Sequence, residues 1–168
     1  MSALPTHPYL VRNAEDAERL WFHGGGVHTW LAKEEDTAGA FLLCEMAMDG
    51  GKMTPLHTHP ADETLIVLEG ELLLHLDGTE HTVTAGGVAL APAGLPHAFM
   101  VLSDQARMLC LHTPGTCEAF YLGASDPLGP GESEGTVDFA RVAASAAANG
   151  GIELLGPPPF TARLNAAT

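Results

Sequence analysis

The stretch "GKMTPLHTHPADETLIVLEG" at residues 51–70 sets His57, His59 and Glu63 where an apolar strand begins, with a glycine at each end. Side chains alternate faces along an extended strand, so His57 and His59 share one face. Glu63 keeps that parity across the Pro60-Ala61-Asp62 corner, and Leu65 and Val67 continue it. Three polar groups then look onto an apolar interior. A pair of histidines near a turn can simply bond to backbone, but three buried polar groups together are satisfied at once by a divalent cation.

A second stretch, "GGVALAPAGLPHAF" at residues 86–99, carries Gly86, Pro92, Gly94 and His97. Together the two read G-x5-H-x-H-x3-E-x6-G and G-x5-P-x-G-x2-H, nine positions at fixed spacing with fifteen residues between the motifs. This resembles the two-motif signature of the cupin superfamily. The fullest second motif ends in an Asn where this chain has Val101; that Asn is not a metal ligand, so the departure bears on subfamily only. The resemblance implies one divalent metal (Fe, Mn, Ni or Co, with Zn able to bind) held by His57, His59, Glu63 and His97.

Working outward, further strand patterns follow one another: 39–48, 63–69, 71–77, 80–85, 88–92, 97–103 and 106–113. Turn chemistry separates them, at Asp49-Gly50-Gly51, Glu69-Gly70, Asp77-Gly78, Gly86-Gly87 and Ala93-Gly94. Short strands broken at such intervals predict an all-β sandwich or barrel, in agreement with the single-domain jelly-roll barrel that the cupin resemblance implies. "ERLWFHGGGVHTWLA" adds an N-terminal hairpin. Residues 116–123 suit a short helix, and 126–135 a linker. Residues 137–151 suit an Ala-rich helix with Asp138 in its first turn, packing through Phe139, Val142, Ala143 and Ala146. The organisation expected is an N-terminal extension (1–35), a barrel core (36–115), and a C-terminal helical segment with an extended tail (116–168).

With 21 acidic and 7 basic residues the formal charge is −14, a field that repels phosphate backbones and anionic lipid surfaces. No signal peptide or membrane-spanning run is visible, so a cytoplasmic location is expected. Cys44, Cys110 and Cys117 lack CxxC spacing and read as buried, reduced, structural thiols.

The other histidines carry less. An Asp77-Gly78 turn sets His75 opposite Glu80 and His81 opposite Leu74. His7, His23 and His28 read as structural or exposed. His112 lies on an apolar strand, where a satisfied core histidine is the commoner outcome and an approach to the cavity the alternative.

The predicted lining, Leu65, Val67, Leu74, Val88, Phe99, Met100 and Met46, is apolar and holds no Arg or Lys beyond Lys52, Arg107 and residues outside the barrel. It suits an aromatic or polyketide-like substrate and O2 better than oxalate or a sugar phosphate. "ERLWFHGG", the barrel, "AFYLGASDP" and "IELLGPPP" resemble the bacterial single-cupin quercetin 2,3-dioxygenase family. That resemblance implies O2-dependent cleavage of a flavonol with loss of carbon monoxide, Glu63 being both ligand and base, in a protein forming a homodimer. The alternatives are a metal-dependent isomerase or cyclase acting on polyketide-like intermediates, and a small-molecule binding module.

Overall fold

Asp77 and Gly78 both adopt the left-handed region, with φ of 47° and 81°. This is the two-residue geometry that folds twisted strands back on each other. The resulting hairpin places His75 opposite Glu80 and His81 opposite Leu74, as expected. The structure, a computed structural model, describes residues 9–132 and 134–160. Its strands are β1 (Glu18–Phe22), β2 (Gly26–Ala32), β3 (Leu42–Asp49), β4 (Leu56–Thr58), β5 (Asp62–Glu69), β6 (Glu71–Leu76), β7 (Thr79–Thr84), β8 (Val88–Ala91), β9 (His97–Val101), β10 (Gln105–Thr113), β11 (Ser125–Pro127) and β12 (Glu153–Gly156). The helices are α1 (Glu118–Gly123) and α2 (Phe139–Asn149). His7 and residues 161–168 lie outside the described residues.

The strands form two antiparallel sheets, ordered β11-β1-β2-β3-β10-β5-β8 and β12-β4-β9-β6-β7. They pack face to face as a jelly-roll barrel around Leu42, Cys44, Leu65, Val67, Leu72, Leu74, Phe99, Val101 and Met108. Inward residues alternate along β3, β5 and β10, the period-2 pattern of strands with one face in the core. The hairpin β1–β2 extends the larger sheet by pairing with β3.

The chain changes sheets between β4 and β5, within residues 59–61, and that crossing brings the histidine strand against the glutamate strand. The return from β5 to β6 depends on Gly70. Its φ is 85°, and a Cβ there would fall 2.3 Å from the Gln105 carbonyl oxygen. No L-residue with a side chain fits that position without moving backbone.

β9 is buried along its whole length because both of its faces are covered. Phe99 and Val101 face the barrel interior, while Ala98 and Met100 pack with Leu73 under Phe160. Met100 therefore does not line the interior as expected. Neither does Val88, which is 62% exposed; the inward residues of β8 are the smaller Ala89 and Ala91.

α2 begins one residue after Asp138, which caps it by accepting the Arg141 backbone N–H at 3.1 Å. Its buried face is Val142 and Ser145 with Ala146 beside them, and Phe139 and Ala143 are exposed. The face is rotated from the expected one because a polar residue takes a buried position: Ser145 Oγ donates to the Phe120 carbonyl at 2.7 Å. Among the described residues no helix is long and apolar enough to cross a membrane.

Candidate metal centre

β4 and β9 pair at a single register position, His57 opposite His97. β5 supplies Glu63, and His59 sits just beyond β4 where the chain crosses between sheets. All four side chains are buried, and their ligand atoms lie within 4.8 Å of one another. Ligands at about 2.1 Å on opposite sides of one ion would be about 4.2 Å apart, so the grouping has the size of a coordination sphere.

Tautomers decide what the cluster can bind. His57 Nδ1 lies 2.8 Å from the Pro55 carbonyl, His59 Nδ1 2.8 Å from Ala61, and His97 Nδ1 2.7 Å from Leu95. A carbonyl oxygen only accepts, so each Nδ1 carries the ring hydrogen and each neutral Nε2 is a bare lone pair. Those lone pairs meet a carboxylate. His59 Nε2 stands 3.0 Å from Glu63 Oε2, and His97 Nε2, at 3.6 Å from that oxygen, has no hydrogen-bond partner among the described residues. Acceptors facing acceptors in a buried site are satisfied by a cation between them, a metal ion or a proton on one ring. The donor set of three imidazoles and one carboxylate fits a divalent transition metal.

The electrostatics agree. Burial pushes the His57 pKa down to about 4, with His97 beside it adding to the effect. Burial alone would raise Glu63, but contacts with His112, His59 and His97 hold it well below the ordinary carboxylate range. Burial disfavours the His97 imidazolium, yet the Glu63 carboxylate more than offsets this and raises its pKa.

The centre opens onto a narrow apolar pocket with His57 and Glu63 in its wall. Met46 and Phe99 line it as expected; Phe22, Met53, Phe120 and Tyr121 complete an aromatic and thioether surface, and Phe139 stands at the α2 side. Leu65 and Leu74 line a separate small hollow against Glu63 and His97. No Arg or Lys lines the main cavity among the described residues. Arg107 is held outside the barrel by Glu45 and Glu69.

His112 does reach the centre. It is fully buried, opposite Glu63 in the β10–β5 ladder, with Nε2 3.1 Å from Glu63 Oε2. The strand pattern gave its inward parity but not its partner. Tyr121, 3.3 Å from the same nitrogen, was not singled out in the sequence, and nothing local marks it. His23 is structural, bonded to Thr136 and Asp126. His28 is fully buried and stacked on Phe22; burial, with His112 nearby, pushes its pKa down to about 3. The cysteines are free and buried, and burial pushes the Cys117 thiol up to about 12.

A family model described as a cupin domain matches residues 44–113. A quercetin 2,3-dioxygenase from Bacillus subtilis (strain 168) is 33% identical over 135 residues, 76% of this chain and 40% of that protein. The match thus covers about two fifths of the length of this relative. Among solved structures, the polyketide cyclase RemF from Streptomyces resistomycificus aligns with a TM-score of 0.55 at 25% identity, over 63% of this chain and 80% of that one. A predicted oxalate decarboxylase from Thermotoga maritima aligns with a TM-score of 0.57 at 20% identity, over 62% of this chain and 99% of that one, a likeness of fold alone.

Proposed function

We propose that this chain, a member of the cupin superfamily, is a metal-dependent dioxygenase cleaving a flavonol or related phenolic substrate with O2. The observation that carries the reading is the cavity. It is walled by aromatic and thioether side chains, lacks cations among its described lining residues, and has His57 and Glu63 in its wall. Such a surface takes a planar aromatic and gives no counter-charge to oxalate or a phosphate. The quercetin 2,3-dioxygenase relative supports the same substrate class.

His57, His59, Glu63 and His97 would hold the metal, which when bound supplies a Lewis acid for the substrate hydroxyl and the redox capacity that O2 chemistry needs. The chain's own part is positioning and proton transfer. Phe22, Phe99 and Phe120 would give the substrate rings an apolar wall that excludes water, with Glu63 in the same wall to meet the reactive hydroxyl. A Glu63 carboxylate oxygen accepts the hydroxyl proton, raising the electron density of the ring that O2 attacks.

The test is O2 uptake by the chain loaded separately with Fe, Mn, Ni and Co, with quercetin as substrate. Equimolar O2 consumption and carbon monoxide release is the expected result. Metal-loaded protein that consumes no O2 with any flavonol contradicts the reading. The likeness to RemF favours a second one, cyclisation of a polyketide-like intermediate with the metal as Lewis acid; turnover of such a substrate without O2 would establish it.

A further inference from the structure

Four imidazoles surround Glu63, and one differs from the rest. The Nδ1 hydrogens of His57, His59 and His97 are taken by carbonyl oxygens, which leaves their Nε2 atoms as lone pairs. His112 Nδ1 has no hydrogen-bond partner among the described residues. Its ring hydrogen is free to sit on Nε2, which lies 3.1 Å from Glu63 Oε2 and 3.3 Å from the Tyr121 hydroxyl. A carboxylate can only accept, so the hydrogen belongs on that nitrogen. The ring itself is fixed: it is fully buried, packed against His59 with centroids 4.7 Å apart and against Tyr121 at 5.6 Å.

We infer that His112 is the positioning residue for Glu63, donating from Nε2 to Oε2 with the Tyr121 hydroxyl against the same nitrogen. The inference rests on the reading of Glu63 as a metal ligand. A carboxylate anchored at one oxygen by a fixed donor presents its remaining lone pairs in one orientation, which is what a ligand ring of three imidazoles needs from its fourth member. His112 as an additional ligand would need the opposite tautomer, with a hydrogen on Nδ1 that no described group accepts. The β10–β5 register, which sets His112 opposite Glu63, builds the pair into the barrel.

The probe is Co(II), titrated into the metal-depleted chain against a competing chelator. Loss of an outer hydrogen-bond partner commonly lowers metal affinity about 10- to 100-fold, and His112→Leu should fall in that range. His112→Gln, whose amide N–H can still reach a carboxylate, should recover most of the loss, which a merely structural role would not produce. Tyr121→Phe removes a hydroxyl that can only compete for the same Nε2 hydrogen, so it should leave Co(II) affinity unchanged or slightly tighter; His112→Phe, a ring without the N–H, stands in should His112→Leu fail to fold. Proton NMR of the Co(II) form should show three strongly shifted, exchangeable imidazole N–H signals, one per ligand histidine. Wild-type affinity in folded His112→Leu or His112→Phe, or a fourth shifted signal, overturns the inference. A chain that binds Co(II) as described but consumes no O2 refutes the proposed activity and supports the positioning role. Unchanged Co(II) affinity in His57→Ala/His59→Ala overturns the metal centre and this inference with it.

Discussion

His57 and His97 stand directly opposite one another on β4 and β9, with ring centroids 4.3 Å apart. Two imidazolium ions could not be held at that distance inside the barrel, so at most one of the two rings is charged, an arrangement suited to sharing one cation. The same logic of buried neutral histidine extends to His28, away from the ligand set, and gives a stability prediction with a definite sign.

His28 has a folded pKa of about 3 against an ordinary value of 6.5. Between those values the unfolded chain binds more protons, so stability is complete above pH 6.5 and is lost progressively as pH falls towards 3. Urea unfolding of metal-depleted protein at pH 7.5 and 5.0 checks this. His28→Phe should lose less stability over that step than wild type, by roughly 2 kcal/mol. Equal losses would show that His28 does not titrate on unfolding.

Gly70 and Gly78 both have positive φ, but a Cβ at Gly70 meets backbone at 2.3 Å and one at Gly78 meets nothing within 4 Å. Gly70→Ala should therefore cost several kcal/mol and Gly78→Ala only about 1 kcal/mol. Thermal melts of the two variants compare them directly; similar Tm values would mean that the β5–β6 corner relaxes.

Cys44, Cys110 and Cys117 are free and buried, and the Cys110 thiol is pushed up by its Cys44 neighbour and by burial. None should react with an aromatic disulfide reagent in the native protein, and all should react after denaturation. Cys110→Ser should lower stability by about 1–3 kcal/mol while leaving bound metal unchanged. Rapid modification of the native chain, or metal loss on that substitution, would place a thiol at the centre.

The barrel was legible because its devices are local: alternation along β3, β5 and β10, the Asp77-Gly78 turn, and the nine motif positions. What escaped was set by other strands. His112 meets Glu63 through the β10–β5 register, a pairing of residues far apart in the chain. Met100 was misplaced because β9 is apolar on both faces once Phe160 covers the outer one. Val88 was misplaced because β8 turns its small residues inward. On α2 a buried Ser145 defeats a reading based on apolar periodicity, since its hydroxyl is satisfied by Phe120.

If Glu63 is a base as well as a ligand, Glu63→Gln should still bind metal and substrate yet lose at least roughly a hundredfold in kcat, since the amide cannot accept the hydroxyl proton. The rate should partly recover at high pH, where the substrate hydroxyl ionises unaided. Near-normal turnover by the metal-loaded variant would leave Glu63 a ligand only.

The central claim is that His57, His59, Glu63 and His97 form one metal site, and elemental analysis tests it most directly. Wild type produced without added zinc and loaded with a single divalent metal should hold about one ion per chain. His57→Ala/His59→Ala, treated identically and shown to be folded, should hold essentially none. Full metal retention in that double variant would contradict the account.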